Sequence, residues 1–382
     1  MKMVCGIDVR PDKTFFSLVR LAKSEAYCLR ETQLAIPFDG NNFSHFLQAN
    51  AAAIVKAIEE EARALSISVD TVYLNVPWGL EQRRVVESIV PLGKRKKITS
   101  GDILFTKKYV EDAYLDWDDF CMHHFVLRYE VEGKSYVRPP VGVVAKKIKL
   151  KSLLVWVKDA FRKDIEGVFS HLEKKLGGMI FAAASSVSAN GTQLISANAA
   201  GIIDIGYEKS NVAIFVEGNL LCVQEFAFGL KSILQELAKK HFIPVSLSQE
   251  VFDRYISFRE LPYFKEVSIK NADTYLNVST NTVNSFVKEY IKNEINVIIE
   301  AIRKDVPQEF NLTVTGRLNA KDGFADFLKS FIPQSVVVAA AGVGESLSYG
   351  CACYAACRYL ERIRGGQDSF FHRFLRIYKE YF

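Results

Sequence analysis

The sequence has no apolar run of the roughly 18 residues that a membrane-crossing helix needs. Its longest stretch of small apolar residues, Val336 to Val343, has the length of a buried strand and turn. The opening MKMVCGIDVR lacks an apolar signal core and reads straight into a strand, so no signal peptide is expected. Seven cysteines make an odd number with no framework spacing. Their one cluster, Cys351, Cys353 and Cys357, has no nearby fourth ligand at zinc spacing. These cysteines read as small residues on a tightly packed helix in a reducing cytosol. No sign of charge dominates: 49 basic residues face 44 acidic ones. That is too even for a dedicated nucleic-acid binder, whose affinity comes mainly from Lys and Arg on phosphate, so no nucleic-acid partner is expected. With 49% hydrophobic and 24% charged residues the chain is neither disordered nor fibrous. At roughly 150 residues per domain, 382 residues make two or three lobes or one large composite domain.

Residues 2–9 and 13–21 read as buried strands. Residues 43–64 have helical spacing, with Phe46, Ile54, Ile58 and Leu65 on one side. Residues 70–76 make another strand, stopped by Pro77. Strand, strand, helix, strand suggests an α/β lobe. From Trp78 to Lys149 the texture turns charged and aromatic. The basic run Lys94 to Lys97 is expected as a solvated turn, with a membrane or partner contact as the alternative. A helix near 99–114 and an alternating strand, HHFVLRYEVEG, complete a small α+β insertion. Residues 150–176 are expected as an amphipathic helix ended by Gly177-Gly178. The second half repeats the opening, with strands at 200–206, 211–216 and 219–226. Helices are expected near 229–241, 248–258, 280–304, 321–330 and 344–363, and strands at 311–315 and 335–339. Each half thus opens with strand, turn, strand, and the first strand ends in an Asp.

That echo carries the chemistry. The first turn runs from Gly6 through Asp8, Arg10 and Lys13 to Thr14. The second runs from Gly201 through Asp204, Gly206 and Lys209 to Ser210. A third segment is Leu312 to Arg317, containing Thr315-Gly316. A tight turn after a strand can present backbone N–H groups to phosphate. Two such turns across a cleft can clamp a pair of phosphates, and Asp8 and Asp204 would hold Mg²⁺ through waters. The glycine of the third loop, Gly316, allows a nucleotide close to the backbone. Taken singly, an Asp after a strand is usually a turn former or helix cap.

In order and spacing the pattern resembles the actin/Hsp70/sugar-kinase ATPase fold. Within that superfamily it most resembles the bacterial cell-division proteins of the FtsA family, over nearly the whole chain. Ile98-Thr99-Ser100-Gly101-Asp102-Ile103 resembles the start of that family's inserted helix, and Arg138-Pro139-Pro140-Val141-Gly142-Val143 its exit. The resemblance implies an α/β fold of two related lobes. The first lobe would take residues 1–78 and 149–178, and the second 179–230 and 301–363. An insertion at 79–148 would mediate self-assembly. A helix-rich subdomain at 231–300 would take the tail peptide of a tubulin-like FtsZ partner. A linker at 364–369 would lead to a membrane-binding helix at 370–382. ATP and Mg²⁺ would be the cofactors, with Gly229, Glu250 and Arg254 joining the nucleotide set. Glu250 and Arg254, four apart, are equally an ordinary surface pair.

The chain departs from the family where Arg10, the stretch Tyr207 to Asn211, and Arg317 replace small residues. Long side chains can block backbone approach to phosphate; alternatively Arg10, Lys13, Lys209 and Arg317 are themselves phosphate ligands. No residue stands out as a general base, and Glu208 is a candidate only by position. Weak or no ATPase activity is expected.

The last residues, SFFHRFLRIYKEYF, place Phe370, Phe371, Phe374, Leu375, Tyr378, Tyr381 and Phe382 on or near one helical face. Arg373, Arg376 and Lys379 lie on or beside the other. Such a helix, about 20 Å long, is too short to span a bilayer and fits the interface of an anionic one. Docking on the protein itself or on a partner is the alternative. Three functions therefore compete. One is an FtsA-like adaptor on the cytoplasmic face of the inner membrane, self-assembled into a filament or homo-oligomer. The second is a scaffold resembling PilM that binds a peptide of an inner-membrane protein. The third is a kinase or phosphatase of the same superfamily.

Overall fold

The computed structural model describes residues 2–338, apart from 11–12, 22–25, 39–41, 78, 183, 186–198, 217–218, 260–265, 272–273, 307–309, 319–320 and 333–335. The expected helix at 344–363 and the amphipathic segment at 370–382 lie outside the described residues.

The first sheet is built from β1 (Lys2–Val9), β2 (Thr14–Leu21), β3 (Ala26–Leu34), β4 (Thr71–Val76) and β9 (Lys175–Phe181), in the order β3-β2-β1-β4-β9. The second is built from β10 (Ala199–Ile205), β11 (Ser210–Val216), β12 (Asn219–Phe226), β15 (Asn311–Gly316) and β16 (Val336–Val338), in the order β12-β11-β10-β15-β16. The two orders are the same pattern. In each, the opening strand pairs antiparallel with its successor and parallel with the strand on its other side. The echo of Asp-bearing strands extends to the whole five-stranded sheet.

Helices cover one face of each sheet. α1 (Phe43–Ala64) and α3 (Asp159–His171) pack on the first through Ile54, Ile58, Ile165 and Phe169, against Cys5, Ile7 and Val9. On the second lie α4 (Leu230–His241), α5 (Val245–Tyr255), α6 (Thr280–Asp305) and α7 (Phe324–Phe331), against Ile203 and Ile205. The hairpin of β13 (Glu266–Asn271) and β14 (Thr274–Ser279) leads into α6.

Between β4 and β9 the chain forms a separate sheet, β5-β8-β6-β7, from β5 (Gln82–Lys97), β6 (Asp119–Val131), β7 (Lys134–Tyr136) and β8 (Val144–Lys158). α2 (Ser100–Tyr114) covers it through Ile103 and Val110. The helix starts at a capping box, in which Thr99 accepts from the Asp102 N–H and Asp102 accepts from the Thr99 N–H.

The other faces of the main sheets meet in one apolar seam. Side chains alternate along a strand. Because Cys5, Ile7 and Val9 face the helices, Val4 faces the seam. In β10, Ala200 and Ile202 do the same. They join Tyr73, Leu127, Leu153, Val155, Phe181 and Phe215, so strands of both lobes and of the insertion share one buried cluster.

Three expectations are corrected. Residues 150–176 are not one helix but the end of β8, then α3, then β9. The run Leu153-Leu154-Val155 is buried on both faces of its sheet and so shows no strand alternation. Gly177-Gly178 is not a helix stop. It lies in β9, where a Cβ at Gly177 would come 2.5 Å from the Tyr73 ring. The basic run Lys94 to Lys97 is not simply a turn: it ends β5, with Lys96 and Lys97 paired to Ala145 and Val144 after a register shift. Among the described residues no helix is long and apolar enough to cross a membrane.

Candidate functional site

The alternation that buries Val4 and Ala200 fixes what ends these strands. Asp8 follows Val4 on the seam face of β1, and Asp204 follows Ala200 and Ile202 on the seam face of β10. The two carboxylates therefore point into the cleft between the lobes, above the apolar seam. Each is held from the neighbouring parallel strand. Asn75, the register partner of Asp8, donates from Nδ2 to Asp8 Oδ1 at 2.9 Å. Thr315, the register partner of Asp204, donates from Oγ1 to Asp204 Oδ1 at 3.1 Å. Ser185 supports Asn75, its hydroxyl donating to Asn75 Oδ1 at 2.8 Å.

The first turn then adds a cation. Arg10 Nε donates to Asp8 Oδ2 at 2.7 Å, and the arginine side chain is only 15% exposed. Its guanidinium also lies 5.3 Å from the centroid of the Phe15 ring. Both Asp8 oxygens thus have protein partners. Asp204 is buried, and that burial raises its carboxyl above the usual range. The charges of Arg10 and Arg317 and the Thr315 hydroxyl oppose that rise, while the Asp8 charge adds to it. Arg10, from the first lobe, thus acts on an acid of the second, so the two turns face each other.

The remaining sequence candidates divide. Arg317 joins the cleft group, stacked 5.2 Å from the Tyr207 ring centroid. Gly316 has φ +104°, and a Cβ there would overlap the Ile205 carbonyl oxygen. Its glycine requirement is therefore internal to the fold. Gly206 donates its N–H to the Lys209 carbonyl at 3.0 Å, closing the second turn on itself. Gly229 lets that turn pack on the head of α4, since a Cβ there would lie 2.6 Å from the Tyr207 carbonyl oxygen. The α4 N–H groups of Leu230 and Lys231 donate to the carbonyls of Gly206 and Tyr207, at 3.1 and 2.7 Å.

Lys13 reaches Gln33 Oε1 at 2.8 Å, across the first sheet rather than toward Asp204. Lys209 pairs with Glu225 at 2.6 Å. Arg83, from the insertion, holds the other Glu225 oxygen at 2.9 Å. These attractions outweigh desolvation and hold the Glu225 carboxyl below its usual range. Ser210 is fully buried and donates its hydroxyl to the Phe228 carbonyl at 2.7 Å. Glu250 and Arg254 form an exposed 2.7 Å pair one turn apart on α5. The structure thus brings Asp8, Arg10, Asp204 and Arg317 together and leaves Lys13, Lys209, Ser210, Glu250 and Arg254 with other partners. The sequence reading missed Asn75 and Ser185. An Asn at the same parity as Asp8 in the adjacent strand was the available signal for the first.

A hydrated Mg²⁺ between Asp8 and Asp204 does not fit this arrangement. The Arg10 guanidinium already supplies positive charge at direct hydrogen-bond distance from Asp8, and Mg²⁺ would need its own water shell there. The phosphate turns fit no better. Pro11 in the first has no N–H to offer, and Gly206 spends its own within the second.

Two polar clusters lie in the insertion. Glu111 Oε1 is 3.0 Å from His124 Nδ1, and His124 Nε2 is 3.0 Å from Ser152 Oγ. The order is that of a hydrolytic triad, but Ser152 is completely buried within β8. The cluster instead ties α2 to the sheet beneath it. The carboxylates of Asp116, Asp118 and Asp119 converge, and the Lys158 ammonium already sits 2.8–3.8 Å from all three. An open groove of about 410 Å³ lies where the insertion leaves the first lobe, floored by Phe43, Leu80, Val157 and Phe161 and edged by Gln82 and Lys158.

No protein-family model and no curated protein matches the sequence. Solved structures match the fold. The PilM–PilN type IV pilus biogenesis complex aligns with a TM-score of 0.61 at 12% identity, over 94% of this chain and 98% of that one. The nucleotide-free diol dehydratase-reactivating factor aligns at 0.54 and 9% identity, over 94% and 100%. MreB5 of Spiroplasma citri, bound to ADP, aligns at 0.51 and 10% identity, over 97% and 99%. The chain has the actin-like ATPase fold.

Proposed function

We propose that this protein is a non-catalytic adaptor of the actin-like fold, which captures a short segment of a partner protein and holds it at a membrane surface. One observation carries the non-catalytic part: both Asp8 oxygens are bonded within the protein, to Arg10 and Asn75, and the Arg10 charge stands beside the carboxylate where a metal's water shell would have to lie. The groove between insertion and first lobe is the place for the partner. It holds about 410 Å³, with the half-buried Leu80 and Phe161 as its accessible apolar surface and Gln82 and Lys158 beside them. The fold shared with the PilM–PilN complex supports a peptide of an inner-membrane protein as that segment. The aromatic and cationic residues at 370–382 support a second reading, the FtsA-family role of tethering an FtsZ-like polymer to the cytoplasmic face of the inner membrane.

Co-sedimentation with anionic vesicles tests the membrane part, comparing the full chain with one ending at Gly366. Only the full chain pellets on this reading, and added salt weakens it. Pelleting of both chains moves the contact to the folded body, and pelleting of neither removes the membrane from the proposal. Phe161→Glu in the groove separates the partner readings. It abolishes capture of an apolar membrane-protein peptide, and unchanged capture sinks the groove as the site.

A further inference from the structure

We propose that Arg10 is a built-in cation standing where the fold would place a metal, so that the two lobes close on each other without nucleotide. This rests on the non-catalytic reading of the cleft and deepens it.

The cleft holds two carboxylates, one from each lobe, at the ends of equivalent strands. Left alone, they would repel each other across a poorly hydrated gap. Something positive must lie between them for the lobes to close. In this chain it is covalently supplied. Arg10 bonds Asp8 at 2.7 Å and is 15% exposed. Its charge also acts on the enclosed Asp204, with Arg317 acting from the second lobe. Two cations therefore face the two acids of the cleft.

The surroundings reinforce closure. Beneath the carboxylates, Val4, Ile202, Phe181 and Phe215 belong to one buried cluster shared by both lobes. Elsewhere on the second lobe, Glu225 accepts from Arg83 of the insertion and from Lys209 of the second turn, at 2.9 and 2.6 Å. Arg10 meets the carboxylate directly through Nε, where Mg²⁺ would act through water.

The test is a melt of the full chain with about 5 mM Mg-ATP, Mg-ADP or EDTA. A ligand present at about 100 times its dissociation constant would raise the midpoint by about 5 °C. The wild-type protein is expected to shift by less than about 1 °C with any of the three. A rise of several degrees that EDTA abolishes overturns the proposal. Arg10→Ala adds a readout that a merely structural arginine would not give. The variant should melt lower, exchange amide hydrogen faster along β1 and β10, and regain stability as Mg²⁺ is added. Arg10→Lys, which keeps the cation and loses the guanidinium, should fall between the two and stay indifferent to Mg²⁺. If Arg10→Ala does not fold, the wild-type melt and Arg10→Lys decide. A lysine variant that responds to Mg²⁺ as strongly as a true metal site overturns the idea. Vesicle pelleting and peptide capture do not depend on the cleft, so a wild-type response to Mg-ATP with both intact would refute the built-in cation and the non-catalytic reading with it, and leave the membrane and partner parts of the proposed function standing.

Discussion

Phe181→Ala probes whether the lobes and the insertion act as one body. Phe181 ends β9, is completely buried, and sits in the seam shared by strands of both lobes and the inserted sheet. Its ring lies 6.5 Å from that of Phe125 in β6. Its N–H donates to His123 Nε2 at 2.9 Å, a backbone bond that the substitution leaves in place. The loss is therefore that of a buried aromatic side chain and the cavity it leaves. That costs about 3–5 kcal/mol, toward the upper end where neighbours from three elements cannot collapse together. A chain of this length sits at the low end of thermal sensitivity, about 2 °C per kcal/mol, so the midpoint should fall by about 6–10 °C.

The shape of the transition matters more than its midpoint. Calorimetry of the wild type should show a single endotherm, because separating the lobes would expose Val4, Ile202 and Phe215 along with Phe181. The variant should keep one endotherm at a lower temperature. Two resolved transitions, only one of them moved by the substitution, would refute the shared seam. The scaffold reading would then have to accommodate lobes that move independently.

Asp204→Asn should stabilise the protein at neutral pH. Burial raises the Asp204 carboxyl above its ordinary 3.8. A raised value means that stability is fully present below the unfolded pKa and lost as pH rises through the folded one. The amide keeps an acceptor for Thr315 without the buried charge. The gain in melting temperature should shrink as pH falls toward 4, and a variant less stable than wild type at pH 7 would contradict the sign. Gly316→Ala should cost more than about 3 kcal/mol, since about 1–3 kcal/mol of left-handed strain adds to overlap with the Ile205 carbonyl. Gly142→Ala, at φ +89° with open space around it, isolates the strain alone; equal losses in urea titration would remove the overlap. Glu225→Gln should cost about 0.5–1 kcal/mol at neutral pH. Its carboxyl is held low by Lys209 and Arg83, so wild type and variant should converge as pH falls through the carboxylate range. A gap that persists at pH 3 would show that the ion pairs are not its source.

Much of the fold was legible because the chain says the same thing twice. The Asp-bearing strands, their turns and the helix-rich second half could be read from alternation and from the position of the carboxylates. β8 could not. Its Lys-apolar alternation ends at Ser152, and beyond it the strand is buried on both faces, so a helix could be read through it. Gly177 reads as a helix stop until the Tyr73 ring that needs its space is known, and that ring lies over a hundred residues earlier in the chain. The site shows the same limit. Asp8 and Arg10 are neighbours in sequence and their pairing was within reach. Lys209 and Ser210 looked like phosphate ligands because their real partners, Glu225 and the Phe228 carbonyl, come from the strand that returns beside them and its exit.

The duplicated halves have kept one feature and diverged in another, and the difference bears on function. Both retain a strand-end carboxylate held by a polar side chain of the adjacent parallel strand, Asn75 for Asp8 and Thr315 for Asp204. A carboxylate kept to bind exchanging metal waters would need an oxygen open to solvent. Here Asp8 and Asp204 are 2% and 7% exposed, and Arg10 takes the oxygen that Asn75 leaves. What such a pair can do is fix the spacing of the lobes. The fixed spacing in turn holds β5 of the insertion and the second turn in register, as the Arg83–Glu225–Lys209 chain requires. A protein that cycles through nucleotide states needs those distances to change. One that presents a binding groove in a fixed frame needs them not to, and the cleft chemistry of this chain favours the second.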